Sequence, residues 1–237
     1  MAGGDLDARD RLIVALDVPS VAEAREMVSA LGPAVRFYKV GLELVMAGGL
    51  DVVRELRAGG ARVFLDMKFL DIGNTVEKAV RRAAETGANF LTVHATDTKT
   101  LAAAAAGAEG SDLKILGVTV LTSLDARDLA EQRIDAASSE VVAHRAGLIA
   151  ESGCHGVVAS GQEAASVRDV VGPSKFIVTP GIRLASDSAD DQKRVATPES
   201  AISDGADFLV VGRPITAAAD PRAAAGRFVD AIRVAAQ

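Results

Sequence analysis

Short apolar, β-branched runs recur along this chain, each followed by a stretch in which apolar and polar positions repeat with helical spacing. The runs predict eight strands: Leu12–Val18, Val35–Val40, Val63–Lys68, Phe90–Ala95, Ile115–Leu121, Gly156–Ser160, Phe176–Thr179 and Phe208–Val211. Amphipathic or Ala-rich segments between them include Val21–Leu31, Asn74–Thr86, Glu140–Ser152, Glu163–Val171 and Pro221–Ala235, the last opened by an Asp220-Pro221 helix-start pair. Eight strand–helix alternations in 237 residues predict an α/β fold of the (β/α)8 TIM-barrel type, one domain spanning 1–237, with residues 1–10 as a flexible N-terminal extension. An open doubly wound sheet is the alternative, weakened because no G-x-G-x-x-G follows the first strand.

Gly87-Ala88-Asn89-Phe90-Leu91-Thr92-Val93 is echoed by Gly205-Ala206-Asp207-Phe208-Leu209-Val210-Val211, half a chain later. The echo predicts equivalent helix–Gly–strand junctions before strands four and eight, although Gly followed by apolar residues is also a generally good helix-to-strand loop. Two connections, Ser123–Ser139 and Leu184–Thr197, are longer and more polar than the rest, and are candidate lids.

Composition narrows the function classes. With 49% hydrophobic residues the chain buries a large core, and a net charge of −6 with scattered basic residues argues against nucleic acid or an anionic membrane as partner. Met1 to Asp10 lacks a secretory pattern, and no apolar run is long enough to span a bilayer, so a soluble, cytoplasmic protein is expected. The lone cysteine, Cys154, reads as an incidental thiol. Aromatics at 3% leave few stacking platforms for bases.

Chemistry concentrates where strands end. Val63–Lys68 closes on Asp66 and Lys68, two apart and therefore on one face, with Asp71 in the following turn. A solvated ion-pair network is the competing reading of this D-x-K-x-x-D. In a barrel the active site lies at the carboxyl ends of the strands, and the first three end on Asp17, Lys39, and Asp66 with Lys68, an alternating charge array. Strand five ends at Thr122 and Ser123. Strand seven ends at Pro180-Gly181-Ile182-Arg183 and strand eight at Gly212-Arg213-Pro214. Loop glycines and arginines after strands seven and eight suit a phosphate group. Carboxylates beside Lys68 favour its ammonium form, which makes it a proton donor rather than a Schiff-base amine.

Val14-Ala15-Leu16-Asp17, Lys39-Val40-Gly41, Asp66-x-Lys68-x-x-Asp71-Ile72 with Asn74-Thr75, Leu121-Thr122-Ser123, Thr179-Pro180-Gly181-Ile182-Arg183, Asp191-Gln192 and Val211-Gly212-Arg213-Pro214 occur in this order. Together they resemble the bacterial type 1 orotidine 5'-monophosphate decarboxylase family. The resemblance covers nearly the whole chain and implies a barrel homodimer that binds a small nucleotide and needs neither metal nor cofactor. It implies that Lys68 protonates C6 of the pyrimidine, that Asp66 lies against the departing carboxylate, and that Asp71 and Thr75 reach the partner subunit's site. Lys39 and Asp17 would bind ribose hydroxyls and complete the charge array, and Thr122 would meet the pyrimidine. Arg183, Gln192, Gly212 and Arg213 would close on phosphate, and Ile72 and Pro180 belong to the same substrate-binding set.

Many members read D-x-K-F-H-D-I-P-N-T, whereas this chain has Leu70 and Gly73 at the His and Pro positions. Gly73 is expected to loosen the turn before the next helix. His94 is read as a structural histidine. The same scaffold and signature occur in Mg2+-dependent 3-keto-L-gulonate 6-phosphate decarboxylase and hexulose phosphate synthase, where a carboxylate replaces Lys39. A non-catalytic phosphate-ligand sensor is the reading from another class, disfavoured because a sensor needs only the phosphate grip.

Overall fold

A computed structural model of the chain describes residues 6–185 and 196–236. Eight parallel strands, β1 (Leu12–Ala15), β2 (Phe37–Gly41), β3 (Arg62–Phe69), β4 (Phe90–His94), β5 (Lys114–Val118), β6 (Gly156–Val158), β7 (Phe176–Thr179) and β8 (Phe208–Val211), pair in sequence order and close with β8 against β1. Helices α1 (Ala8–Arg11), α2 (Val21–Leu31), α3 (Leu42–Met46), α4 (Leu50–Ala58), α5 (Gly73–Ala84) and α6 (Thr98–Ala108) accompany the first half. In the second half come α7 (Ala126–Glu131), α8 (Ser138–Glu151), α9 (Ala164–Val171), α10 (Pro198–Ser203), α11 (Arg213–Thr216) and α12 (Pro221–Ala235). This is the expected (β/α)8 barrel; the open sheet is excluded by the β1–β8 ladder.

The period of two along each strand divides the side chains between two cores. Leu12, Val14, Tyr38, Val40, Val63, Leu65, Leu91 and Val93 point outward and pack under the helices. Ile13, Ala15, Phe37, Phe64, Phe90, Leu116, Val178, Phe208 and Val210 fill the barrel. Five phenylalanine rings, Phe37, Phe64, Phe90, Phe176 and Phe208, contact one another at centroid distances of 5.2–6.1 Å. Each buried ring stabilises the fold by on the order of 2–3 kcal/mol relative to exposure. The Arg62 guanidinium sits 4.4 Å from the Phe37 centroid and pairs with Asp10, sealing the amino end of the barrel. Leu6 packs against the same inner cluster and Ala8–Arg11 is helical, while residues 1–5 of the expected N-terminal extension lie outside the described residues.

The internal echo has a structural content. Gly87 (φ 78°) and Gly205 (φ 97°) turn the chain into β4 and β8 in a conformation that penalises a Cβ. Two residues later, the Asn89 side chain accepts the Val63 N–H at 2.9 Å and the Asp207 carboxylate accepts the Ile177 N–H at 2.8 Å. Each junction thereby caps the strand before it, β3 or β7, at the same relative position.

Four strands stop earlier than the apolar runs suggest: β1 ends at Ala15, β4 at His94, β5 at Val118 and β6 at Val158. Leu16 N–H still donates to the Lys39 carbonyl at 2.9 Å, which carries Asp17 to the rim. The connection expected as one long polar loop over Ser123–Ser139 contains α7, started by a reciprocal Asp125–Asp128 capping box. Most of the other candidate lid, including Gln192, lies outside the described residues.

Candidate active site

Following the inward-pointing positions toward the carboxyl end of the barrel, phenylalanine gives way to charge: Ile13 and Ala15 lead to Asp17, Phe37 to Lys39, Phe64 to Asp66, and Phe90 to Thr92. Of these, Asp17, Lys39 and Asp66 line the mouth and, with Lys68, form an unbroken chain of ion pairs. Lys39 Nζ donates to Asp17 Oδ1 at 2.8 Å and lies 3.6 Å from Asp66 Oδ2, while Lys68 Nζ donates to Asp66 Oδ1 at 2.7 Å. Gly41 leaves room for this contact, since a Cβ there would stand 3.2 Å from Lys39 Nζ and 3.3 Å from Asp17 Oδ1.

Burial makes the array more than a surface network. The Asp66 and Lys39 side chains are 14% and 10% exposed, against 57% for Asp17. Burial of Asp66 works against its ionised form, but Lys39 and Lys68 outweigh that cost, helped by hydrogen bonds from Lys68 and Thr92, and hold the carboxyl below its ordinary range. His94 is held below its ordinary value by burial and then by the Lys68 and Arg145 cations. It does not line the cavity, in keeping with a structural role.

The cavity over this array has a volume of about 450 Å3 and also reaches Thr122, Pro180, Gly181, Arg183, Gly212, Arg213 and Thr216. Its far side is the phosphate-suited end: Gly181 has φ 76°, and Gly212 precedes the first turn of α11. Arg183 is only 6% exposed, and its Nε–H is buried with no acceptor among the described residues. A smaller lobe of about 130 Å3, lined by Phe64, Val118, Val120, Val158 and Ala159 beside Asp66 and Lys68, extends into the barrel. One side of the mouth is therefore charged and the other built for an anion, with an apolar recess between.

A larger groove of about 610 Å3 lies outside the barrel between α2 and α4, lined by Val28, Tyr38, Val52 and Leu56. Tyr38, pushed up to about 12 by burial, Ser29, Arg36 and the Arg25–Glu55 pair are its polar features. It lacks converging groups of the kind the mouth has.

Most of the sequence-derived site meets in the mouth: Asp17, Lys39, Asp66, Lys68, Thr122, Pro180, Arg183, Gly212 and Arg213 all line the cavity. Asp71, Ile72 and Thr75 do not line it and are exposed. The Asp71 carboxylate accepts its neighbour's Ile72 N–H at 2.6 Å. Thr216 and Thr92 were not legible as site residues. Thr92 shares its face of β4 with His94, and that alternation was the available signal.

A closed parallel barrel with an Asp/Lys array facing an arginine- and glycine-lined anion end defines a barrel enzyme for a phosphorylated small molecule. Residues 10–228 match the model of the orotidine 5'-phosphate decarboxylase / HUMPS family. The chain is 53% identical over 226 residues to an orotidine 5'-phosphate decarboxylase of Bradyrhizobium sp. (strain ORS 278), covering 95% of this chain and 93% of the relative. It is 55% identical over 223 residues to that of Methylobacterium radiotolerans, covering 94% and 96%. The crystal structure of orotidine 5'-phosphate decarboxylase from Lactobacillus acidophilus superposes with a TM-score of 0.83 at 36% identity, covering 93% of this chain and 98% of that one. The chain belongs to the orotidine 5'-phosphate decarboxylase / HUMPS family.

Proposed function

We propose that this chain decarboxylates orotidine 5'-monophosphate to uridine 5'-monophosphate, and that the Asp17–Lys39–Asp66–Lys68 array performs the chemistry. The observation that carries the assignment is the Lys68 ammonium at 2.7 Å from the largely buried Asp66 carboxylate, in the cavity whose other end is lined by Arg183, Gly212 and Arg213. With phosphate at that end, the pyrimidine lies toward Thr122 and Pro180 and its C6 carboxylate toward Asp66. The C6–carboxylate bond breaks to release carbon dioxide, its electron pair stays on C6, and a proton from Lys68 Nζ forms the new C–H bond. Asp66 holds the Lys68 ammonium group at 2.7 Å and opposes a second carboxylate beside it, which favours departure. Asp17 and Lys39 are assigned to the ribose hydroxyls, and Arg183, Arg213, Gly212 and Gln192 to the phosphate.

The Mg2+-dependent sugar-phosphate reading has no comparable support. Lys39 places an ammonium between Asp17 and Asp66, where a divalent cation would need those carboxylates as ligands.

The working unit we assign is a homodimer. Asp71, Ile72 and Thr75 face away from their own chain's cavity, on the segment after β3. The segments after β2 and β3 carry Leu42 (55% exposed), Met46 (85%) and Leu70 (54%) as well as Ile72 (78%), apolar surface suited to a second copy. A charged nucleotide substrate also fits a cytoplasmic place of action.

Lys68→Ala tests the assignment. It should lower kcat by at least about 100-fold while leaving uridine 5'-monophosphate affinity within a few-fold, because a proton donor acts in the chemical step. Turnover near that of the unaltered enzyme would remove Lys68 from the mechanism.

A further inference from the structure

β3 and β4 do not pair residue for residue at the mouth. Phe64 pairs with Phe90 and Leu65 with Leu91, but the next pair is Phe69 with Val93. Three residues of β3, Asp66, Met67 and Lys68, therefore stand opposite one residue of β4, Thr92. Bulges of this kind re-aim side chains beside functional sites. The distortion concentrates at Lys68, whose φ of 50° is left-handed, one of two such non-glycine residues among those described.

Displaced from the ladder, the Lys68 N–H finds the Thr92 hydroxyl instead of a carbonyl, at 3.0 Å. The same hydroxyl donates to Asp66 Oδ1 at 2.9 Å, the oxygen that also takes the Lys68 ammonium at 2.7 Å. Thr92 is fully buried, so no bulk water replaces it. One oxygen thus uses its donor and an acceptor position to close a small ring through the backbone of Lys68, the carboxylate of Asp66 and the ammonium of Lys68.

We propose that Thr92 is a positioning residue for decarboxylation, its hydroxyl fixing the bulge that presents Lys68 and the rotamer of Asp66 beneath it. This rests on the assignment of Lys68 as proton donor. Without the hydroxyl, the Lys68 N–H and Asp66 Oδ1 lose a shared partner, the left-handed turn loses its anchor, and the ammonium is no longer held where C6 requires it. Substrate contacts at the phosphate end are untouched, so the loss falls on the chemical step rather than on binding.

The test is the set Thr92→Val, Thr92→Ser and Thr92→Ala, measured for kcat, KM and uridine 5'-monophosphate affinity beside Lys68→Ala. Val keeps the shape and removes the hydroxyl. Its kcat should fall by about 10- to 100-fold, the scale of a small misplacement of a catalytic group, with nucleotide affinity within roughly threefold of the unaltered enzyme. Ser should recover kcat to within roughly threefold, since it restores both hydrogen bonds. Should the Val variant not fold, the Ser/Ala pair isolates the hydroxyl with the methyl absent from both, and Ser should again turn over faster. Unchanged kcat in the Val variant, equal losses in Ser and Ala, or a Val variant losing nucleotide affinity in step with kcat would overturn the proposal. Appreciable turnover by Lys68→Ala would instead defeat the proton-donor assignment, whatever the Thr92 variants do.

Discussion

Asp66, its side chain 14% exposed, meets two ammonium groups, Lys39 at 3.6 Å and Lys68 at 2.7 Å. Its folded-state pKa lies below the ordinary 3.8, although burial alone would raise it. A carboxylate with a depressed folded pKa contributes stability above the unfolded value, and that contribution disappears as pH falls through the folded value. Unfolding free energies of the unaltered protein and of Asp66→Asn, compared from about pH 5 to about pH 2, should therefore differ by an amount that shifts in favour of the variant with acidification. A pH-independent difference would mean that Asp66 is not preferentially ionised in the fold. The array itself was readable from the chain because strand alternation puts Asp17, Lys39 and Asp66 on the inward face. Thr92 was not, because a threonine in an apolar strand looks like any β-former and its role appears only with the bulge opposite it.

At the scale of elements, the segment whose glycine was expected to loosen the turn is the start of α5. Gly73 is the first helical residue, preceded by Ile72 at φ −55° and ψ 134°, and a Cβ on it would make an ordinary 3.5 Å contact with Ala103 Cβ. Proline suits such a position, since the N–H there has no intrahelical acceptor and extended backbone is what a residue before proline requires. Gly73→Pro should raise stability by about 0.4–1 kcal/mol by restricting the unfolded chain. A higher urea midpoint with an unchanged slope would show it, and a lower midpoint would mean that the turn needs glycine's freedom. The eight strands and principal helices were legible from periodicity. Where β1, β4, β5 and β6 stop was not, because pairing with the neighbouring strands, and not the length of the apolar run, sets a strand's end. Helix α7 was hidden in a polar connection whose Asp125–Asp128 box starts it locally.

At the scale of the molecule, one chain carries the charge array and the anion end but turns Asp71 and Thr75 outward. A twofold dimer of the kind proposed makes a definite prediction for mixed subunits. In a hybrid of Lys68→Ala and Asp71→Ala chains one of the two sites has both residues intact, so random exchange of inactive parents should restore about a quarter of the sites. No recovery between subunits demonstrated to exchange would place the whole site in one chain. Sequence alone yields such trans contributions only through resemblance, since strand alternation says nothing about a neighbouring copy. The central claim is the reaction, and its most direct measurement is the ultraviolet absorbance of orotidine 5'-monophosphate mixed with purified protein, with and without EDTA. The orotate band should disappear at the same rate in both, because Lys39, Asp66 and Lys68 supply the charges the reaction uses. A band that persists in both, or disappears only without chelator, would contradict the account and turn attention to Mg2+-dependent sugar-phosphate chemistry on this barrel.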